Sequence, residues 1–207
     1  MKVILINGSP HPDGCTFTAL SEVASTLQKN GIETEFVQIG RKPIAECIAC
    51  NSCAGTGKCV FSDDQVNDLR EKLEAADGLV VGSPVYYANP SAQVLALLTR
   101  VFYGCGSRYN GKLGAAVVSA RRGGCATSFD AINKFFAINN IHIVASQYWN
   151  QVHGSKPDDV RQDLEGMQTM RTLGENMAWL LKCIELGRCN GLPAPQHEPV
   201  TRTNFVR

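Results

Sequence analysis

The sequence predicts an α/β fold: five parallel strands in one sheet, with helices packed on both faces. Three observations predict it. Strand-like runs alternate with stretches of helical spacing along the chain. At 207 residues and 44 % hydrophobic content, the chain can bury one sizeable core. Finally, every non-periodic segment with unusual residues follows a strand.

Lys2–Asn7 is an apolar run ended by Gly8-Ser9-Pro10, as a buried strand requires. Thr16–Asn30 follows as a helix with Leu20, Val23, Ala24 and Leu27 on one face and Gly31 at its exit. Glu33–Ile39 alternates polar and apolar residues, which suits a less buried strand, and the aperiodic stretch from Gly40 to Phe61 is a loop. Asp63 or Asp64 caps a helix running to Ala76, with Val66, Leu69, Leu73 and Ala76 inward. Gly78–Ser83 is the third strand and Pro84–Pro90 its loop; Ser91–Phe102 is helical, with Val94, Leu97, Leu98 and Val101 inward. Leu113–Ala120 is the fourth strand, Ser128–Asn139 a helix and Ile141–Ala145 the fifth strand, in which His142 is expected to be packed. One long helix is expected from Asp158 to about Leu186, weakened by Gly166 and Gly174. The domain therefore spans 1–190, with a cysteine-rich loop at 41–62 and an extended tail at 191–207.

Lys plus Arg total 20 and Asp plus Glu 19, a net charge of +1, which argues against a nucleic-acid grip built on phosphate neutralisation. Neither a signal peptide nor a membrane span is expected, and a cytoplasmic protein is. Four of the nine cysteines crowd between Cys47 and Cys59, so metal or redox chemistry is a better expectation than a disulfide scaffold. No Ser-His-Asp set or carboxylate pair emerges, and His153 has no evident partner, so hydrolysis is disfavoured.

In a parallel sheet, ligands sit outside the carboxyl ends of the strands. Gly8–Thr16, the Cys47–Cys59 loop, Pro84–Ser91, Ser119–Gly124 and Gln147–His153 are all expected at that one edge. In the first of these, hydroxyls at Ser9, Thr16 and Thr18 and amides at a helix start make an anion cradle without Lys or Arg, suited to a lone phosphate monoester. The dinucleotide glycine pattern is absent, and Gly55-Thr56-Gly57-Lys58 fails as a Walker loop because Cys59 follows the lysine. Pro84-Val85-Tyr86-Tyr87-Ala88 offers amides and aromatic faces to a flat ring, and Arg121 or Arg122, beside Gly123 and Gly124, offers a cation near a flavin's N1–O2 region. Tyr148 and Trp149 are candidates to cover that ring or to pack between subunits.

The spacing Cys47-x2-Cys50-x2-Cys53-x5-Cys59 suits one compact polynuclear centre. It leaves three alternatives open: a 4Fe–4S cluster, a zinc site, or thiols without metal.

Lys2–Asn7 with Gly8-Ser9-Pro10, the cysteine loop ending Cys59-Val-Phe-Ser-Asp63-Asp64, and Gly82-Ser83-Pro84-Val85-Tyr86-Tyr87 together resemble the NADPH-dependent FMN reductase family, in its iron–sulfur flavoprotein branch. The resemblance implies a flavodoxin-like fold with strand order 2-1-3-4-5, FMN in the edge crevice and a homodimer or homotetramer. It implies that Ser9, His11, Cys15, Thr16, Phe17 and Thr18 hold the phosphate. Pro84, Val85, Tyr86, Tyr87, Ala88, Ser119, Arg121, Arg122, Gly123 and Gly124 would hold the ring. Cys47, Cys50, Cys53 and Cys59 would ligate a 4Fe–4S cluster. Reduced ferredoxin or NAD(P)H is the implied donor, and a quinone, an oxygen species or another carrier the acceptor. His11 stands where such loops often carry Arg, and Cys15 where they often carry Asn or Ser, which shifts phosphate binding toward backbone amides and Thr16.

Overall fold

A computed structural model describes residues 1–103 and 106–205; Val206 and Arg207, the end of the expected tail, lie outside the described residues. The first strand, β1 (Lys2–Asn7), is flanked by β2 (Glu33–Gln38) and β3 (Gly78–Tyr86), both parallel to it. Beyond β3 lies β5 (Leu113–Ala120), and beyond that an edge made of two short pieces, β6 (His142–Ile143) and β7 (Gln151–His153). A two-residue strand, β4 (Asn89–Pro90), folds back antiparallel on β3. Across the parallel layer the order is the expected 2-1-3-4-5, the doubly wound arrangement. The sheet nevertheless counts seven strands, because the fifth is split and a hairpin is added.

Alternation along the central strands sends side chains into two cores. Val3, Leu5, Val80, Ala115 and Val117 face one layer, formed by α1 (Cys15–Lys29), α6 (Pro157–Gln162) and α7 (Leu164–Cys189). Ile4, Ile6, Leu79, Val81, Ala116 and Val118 face the other, formed by α3 (Val66–Ala75), α4 (Ala92–Phe102) and α5 (Cys125–Ile138). A strand buried on both faces must be apolar throughout, which is why β1 and β5 read as continuous runs. A single short turn, α2 (Cys53–Thr56), interrupts the cysteine loop.

Four differences from the sequence reading have local causes. The strand expected to stop at Ser83 continues to Tyr86 and turns through Tyr87 (φ 49°) and Ala88 (φ 59°), both left-handed, as a two-residue hairpin demands. Pro84, Val85 and Tyr86 are therefore strand residues. The fifth strand shrinks to His142–Ile143, and the chain loops out around Ser146, whose hydroxyl lies within hydrogen-bond reach of the Tyr148 carbonyl and of Asn150 Oδ1, before β7 restores pairing with β5. His142 is exposed there, not packed. The long C-terminal helix breaks at Asp163, whose carboxylate accepts the Gly166 amide at 3.0 Å and caps α7; a Cβ on Gly166 would lie 2.4 Å from that carboxylate. Gly174, expected to weaken the helix, lets α7 approach α1: a Cβ there would stand 2.7 Å from Thr26 Cβ.

Candidate functional site

The carboxyl rim of the sheet is assembled by close backbone approach. The Gly8 amide donates to the Gly82 carbonyl at 2.8 Å, and a Cβ on Gly8 would come within 2.4 Å of that oxygen. A Cβ on Gly82 would collide with Leu20 and Thr16 at 2.7–2.8 Å. Ser91 caps α4 and donates to the Gly8 carbonyl, so the starts of α1 and α4 are locked to the same strand ends. The first loop is then pinned by side chains. Asn7 accepts from the Ser9 amide and donates to the His11 carbonyl, Ser9 Oγ accepts the His11 amide, and Gln38 donates to the Ser9 carbonyl.

These constraints leave a crevice of about 540 Å³. It is lined by Ser9, His11, Cys15 and Thr16, with Asp13 beside them, by Pro84, Val85 and Tyr86, and by Ser119, Ala120 and Arg121. Thr16 and Ser119, both buried, share a hydroxyl hydrogen bond at 2.8 Å. The N-cap residue of α1 is Gly14, no side chain caps it, and its first turn holds no acid, so amides and helix dipole are free to meet an anion. Pre-shaped donors, a hydroxyl pair and an uncapped helix start fit a phosphate monoester, and the half-exposed Tyr86 beside them fits a flat ring.

Not every expected residue lines the crevice. Phe17 packs on Phe36 with tilted rings 5.0 Å apart, and Thr18 donates to the Gly14 carbonyl; both line a neighbouring groove, leaving only their backbone for phosphate. Tyr87 is fully exposed at the hairpin tip, and Ala88 packs on Gly124, whose φ of 95° disfavours a side chain and where an added Cβ would stand 2.6 Å from Ala88 Cα. Arg122 and Gly123 face solvent outside the lining, as do Tyr148 and Trp149, whose tilted rings meet at 4.9 Å.

The structure adds Gly154, Ser155, Lys156 and Pro157 to the lining of the crevice, beside the start of α1. The Gly154 carbonyl accepts from Cys15 Sγ at 3.6 Å, and burial pushes the Cys15 thiol above its ordinary pKa. Lys156 supplies the cation that the first loop lacks. Its signal was the Gly-Ser-Lys-Pro turn following a strand end. Nearby, His153 Nε2 lies 4.0 Å from Cys125 Sγ, and its Nδ1 lies 3.7 Å from Asp163, so the partners absent from the sequence reading exist in space. Cys125 is buried, which raises its pKa, and the Asp163 charge adds to the rise.

The cysteine loop departs from the expected convergence. It leaves β2 at the rim but then runs down the flank of α3 and α4. Cys47, Cys50, Cys53 and Cys59 line one narrow pocket with Arg70, Arg100 and Tyr103, and this pocket shares no lining residue with the rim crevice. Arg100 lies nine residues beyond Ser91 along α4, about 13 Å at the helical rise. Left-handed Ala49 (φ 52°), Asn51 (φ 58°) and Gly57 (φ 69°) coil the loop so that the thiols meet on one side. Asn67 grips the Cys59 backbone through its amide and carbonyl, and Cys53 Sγ donates to the Tyr103 carbonyl. The Ser52 hydroxyl and amide hold the exposed Cys50 thiol below its ordinary pKa.

Among the described residues, no three ligating side chains stand in metal-binding geometry. The surroundings still fit an anionic thiolate centre. Arg100 is 1 % exposed and donates from Nε and Nη2 to Cys59 Sγ, both at 3.3 Å, while pairing with Asp64. Arg70, 2 % exposed, donates to the carbonyls of Gly57, Arg100, Val101 and Tyr103. Two buried guanidinium groups line the pocket, and Asp64 pairs with one of them, a charge balance that suits a negatively charged bound group. The sequence signal for both was an arginine at buried helical spacing, four after Val66 and three after Leu97.

Fold and crevice together define a flavodoxin-like protein with a mononucleotide cradle where the winding direction reverses. The family model for NADPH-dependent FMN reductases matches residues 1–155. An iron–sulfur flavoprotein of Methanocaldococcus jannaschii is 37 % identical over 193 residues, covering 89 % of this chain and all of that one. Among solved structures, an NAD(P)H:quinone oxidoreductase from Methanothermobacter marburgensis superposes with a TM-score of 0.67 at 18 % identity, over 86 % of this chain and 96 % of that one. A flavodoxin from the domain Archaea superposes with a TM-score of 0.60 at 15 % identity, over 88 % of this chain and 99 % of that one. The chain belongs to the NADPH-dependent FMN reductase family, in its iron–sulfur flavoprotein branch, and is an FMN-dependent oxidoreductase. No described helix is long and apolar enough to cross a membrane.

Proposed function

We propose that this oxidoreductase also carries a 4Fe–4S cluster on Cys47, Cys50, Cys53 and Cys59, and that electrons pass between that cluster and FMN. When bound, FMN supplies two-electron chemistry and a cluster one-electron transfer. The observation that carries the reading is the thiol pocket itself: four cysteines on a coiled loop, backed by Arg70 and Arg100, with more buried positive than negative charge. The name of the Methanocaldococcus relative supports it.

The chain's own residues divide the work. Ser9, Thr16 and the first amides of α1 hold the phosphate, with Lys156 of the same crevice adding charge. Pro84–Tyr86 and Ser119–Arg121 bracket the ring, and the Arg121 guanidinium, lining the same crevice, favours negative charge on it. Ferredoxin or NAD(P)H as donor and a quinone or second carrier as acceptor fit an open crevice, and a homodimer or homotetramer would bring a thiol flank toward a neighbouring rim. The test is the visible spectrum of protein purified without oxygen, before and after dithionite. Flavin bands over a broad absorption that bleaches, with iron and sulfide at about four per chain, support the reading. A pure flavin spectrum after anaerobic reconstitution, with iron below about one per chain, refutes it.

A further inference from the structure

The two guanidinium groups behind the thiols are not equivalent, and the difference assigns them roles. Arg70 is spent on main-chain carbonyls: Nη1 on Gly57 at 3.0 Å, Nε on Val101 at 3.2 Å and Nη2 on Arg100 and on Tyr103, the latter at 3.1 Å. It closes the carboxyl end of α4 and ties the cysteine loop to it. Arg100 instead aims two N–H groups at one sulfur. Its Nε and Nη2 each lie 3.3 Å from Cys59 Sγ, its Nη1 reaches the Ala45 carbonyl at 3.1 Å, and the Phe61 ring covers it with the guanidinium carbon 5.0 Å from the ring centre. Asp64 pairs with both Nη atoms and is itself 7 % exposed. Its Oδ1 also accepts the Val66 amide at 3.1 Å, so the carboxylate is fixed at the start of α3.

Resting on the cluster reading above, we propose that Arg100 raises the reduction potential of the centre held by the four cysteines, through its paired N–H donors on Cys59, and that Asp64 limits the rise. Reduction adds one electron from an external one-electron reductant; no bond to Cys59 forms or breaks, and no proton moves. The centre becomes more negative, and the surplus charge is spread partly onto the ligand sulfurs. N–H groups aimed at such a sulfur, and a buried cation behind it, therefore stabilise the reduced form more than the oxidised form. Asp64 opposes this by neutralising part of the cation's field. Arg100 is a positioning residue in this sense, since it acts through Cys59.

The test is a potentiometric titration, followed by electron paramagnetic resonance, of the full chain after anaerobic reconstitution with iron and sulfide. Arg100→Gln removes the cation. At a fixed poise its reduced-to-oxidised ratio is expected to fall at least tenfold, equivalent to 59 mV for a one-electron couple. Asp64→Asn keeps an oxygen for the Val66 amide but frees the guanidinium charge, and its ratio is expected to rise. Opposite displacements are the signature of tuning, because simple loosening of the pocket would move both variants the same way. A loaded Arg100→Gln protein that titrates with wild type, or two shifts of the same sign, overturns the assignment. If Arg100→Gln cannot retain iron, Asp64→Asn decides: an unchanged or lowered ratio overturns it. Wild-type protein that takes up neither iron nor sulfide fails the cluster reading itself, whereas loaded proteins with unmoved potentials fail only the role given to Arg100.

Discussion

The rim and the thiol flank are built by opposite means. At the rim, backbones touch: a Cβ on Gly8 would press on the Gly82 carbonyl and one on Gly82 would press on Leu20 and Thr16, and the crevice beside them is lined in part by short hydroxyls. On the flank, an irregular loop is fastened to two helices by long charged side chains that are almost wholly buried. The first design is a by-product of the sheet and exists as soon as the strands pair. The second depends on a few polar contacts and on charge that the pocket's contents must balance. Sites of the first kind should be insensitive to their ligand, and sites of the second kind should not.

The largest expected effect comes from Arg70→Ala, which leaves the carbonyls of Gly57, Arg100, Val101 and Tyr103 without their donor. A loss of about 3–5 kcal/mol in denaturant unfolding is expected, with iron uptake lost before flavin binding. A destabilisation below about 1 kcal/mol would show that the flank is not held as described. Next comes Gly8→Ala, whose new methyl group meets the Gly82 carbonyl and Val94. Overpacking of about 1–3 kcal/mol and weakened FMN binding are expected, with iron content unchanged in fluorimetric and colorimetric assays. Lys156→Ala should weaken FMN binding about fivefold, roughly 1 kcal/mol. Raising the salt should erase the difference, because Lys156 is exposed and screened. The smallest effect is kinetic. In metal-free protein Cys50, with its lowered pKa, holds more thiolate at a given pH than Cys15 or Cys125, whose pKa values burial raises. Mass-mapped alkylation on a rising pH series should therefore label Cys50 first and Cys125 last, and the reverse order would contradict the two environments.

The same contrast explains what could be read from sequence. Parallel strands announce themselves because burial on both faces forces apolar runs such as Val3–Ile6 and Ala115–Val118, and the residues after them fall at the rim by topology alone. Ser9, Thr16, Tyr86, Ser119 and Arg121 were legible on those grounds. The hairpin at Tyr87-Ala88 was not, since neither residue carries the Gly or Asn signal that usually marks left-handed backbone. Lys156 was missed because the fifth strand is interrupted, and its second half delivers the segment that helps line the crevice. Topology fixes where a loop begins, not where a long one ends. That is why the cysteine spacing was readable while its place on the flank was not. Arg70 and Arg100 sit at apolar helical positions, where an arginine is ordinarily expected to reach for water.

The most direct measurement is paired flavin and iron stoichiometry in two anaerobically reconstituted variants. Thr16→Val should lose FMN while keeping about four iron atoms, and Cys53→Ser should lose the iron while keeping FMN. Loss of both groups together in either variant would contradict two separately built sites on one chain.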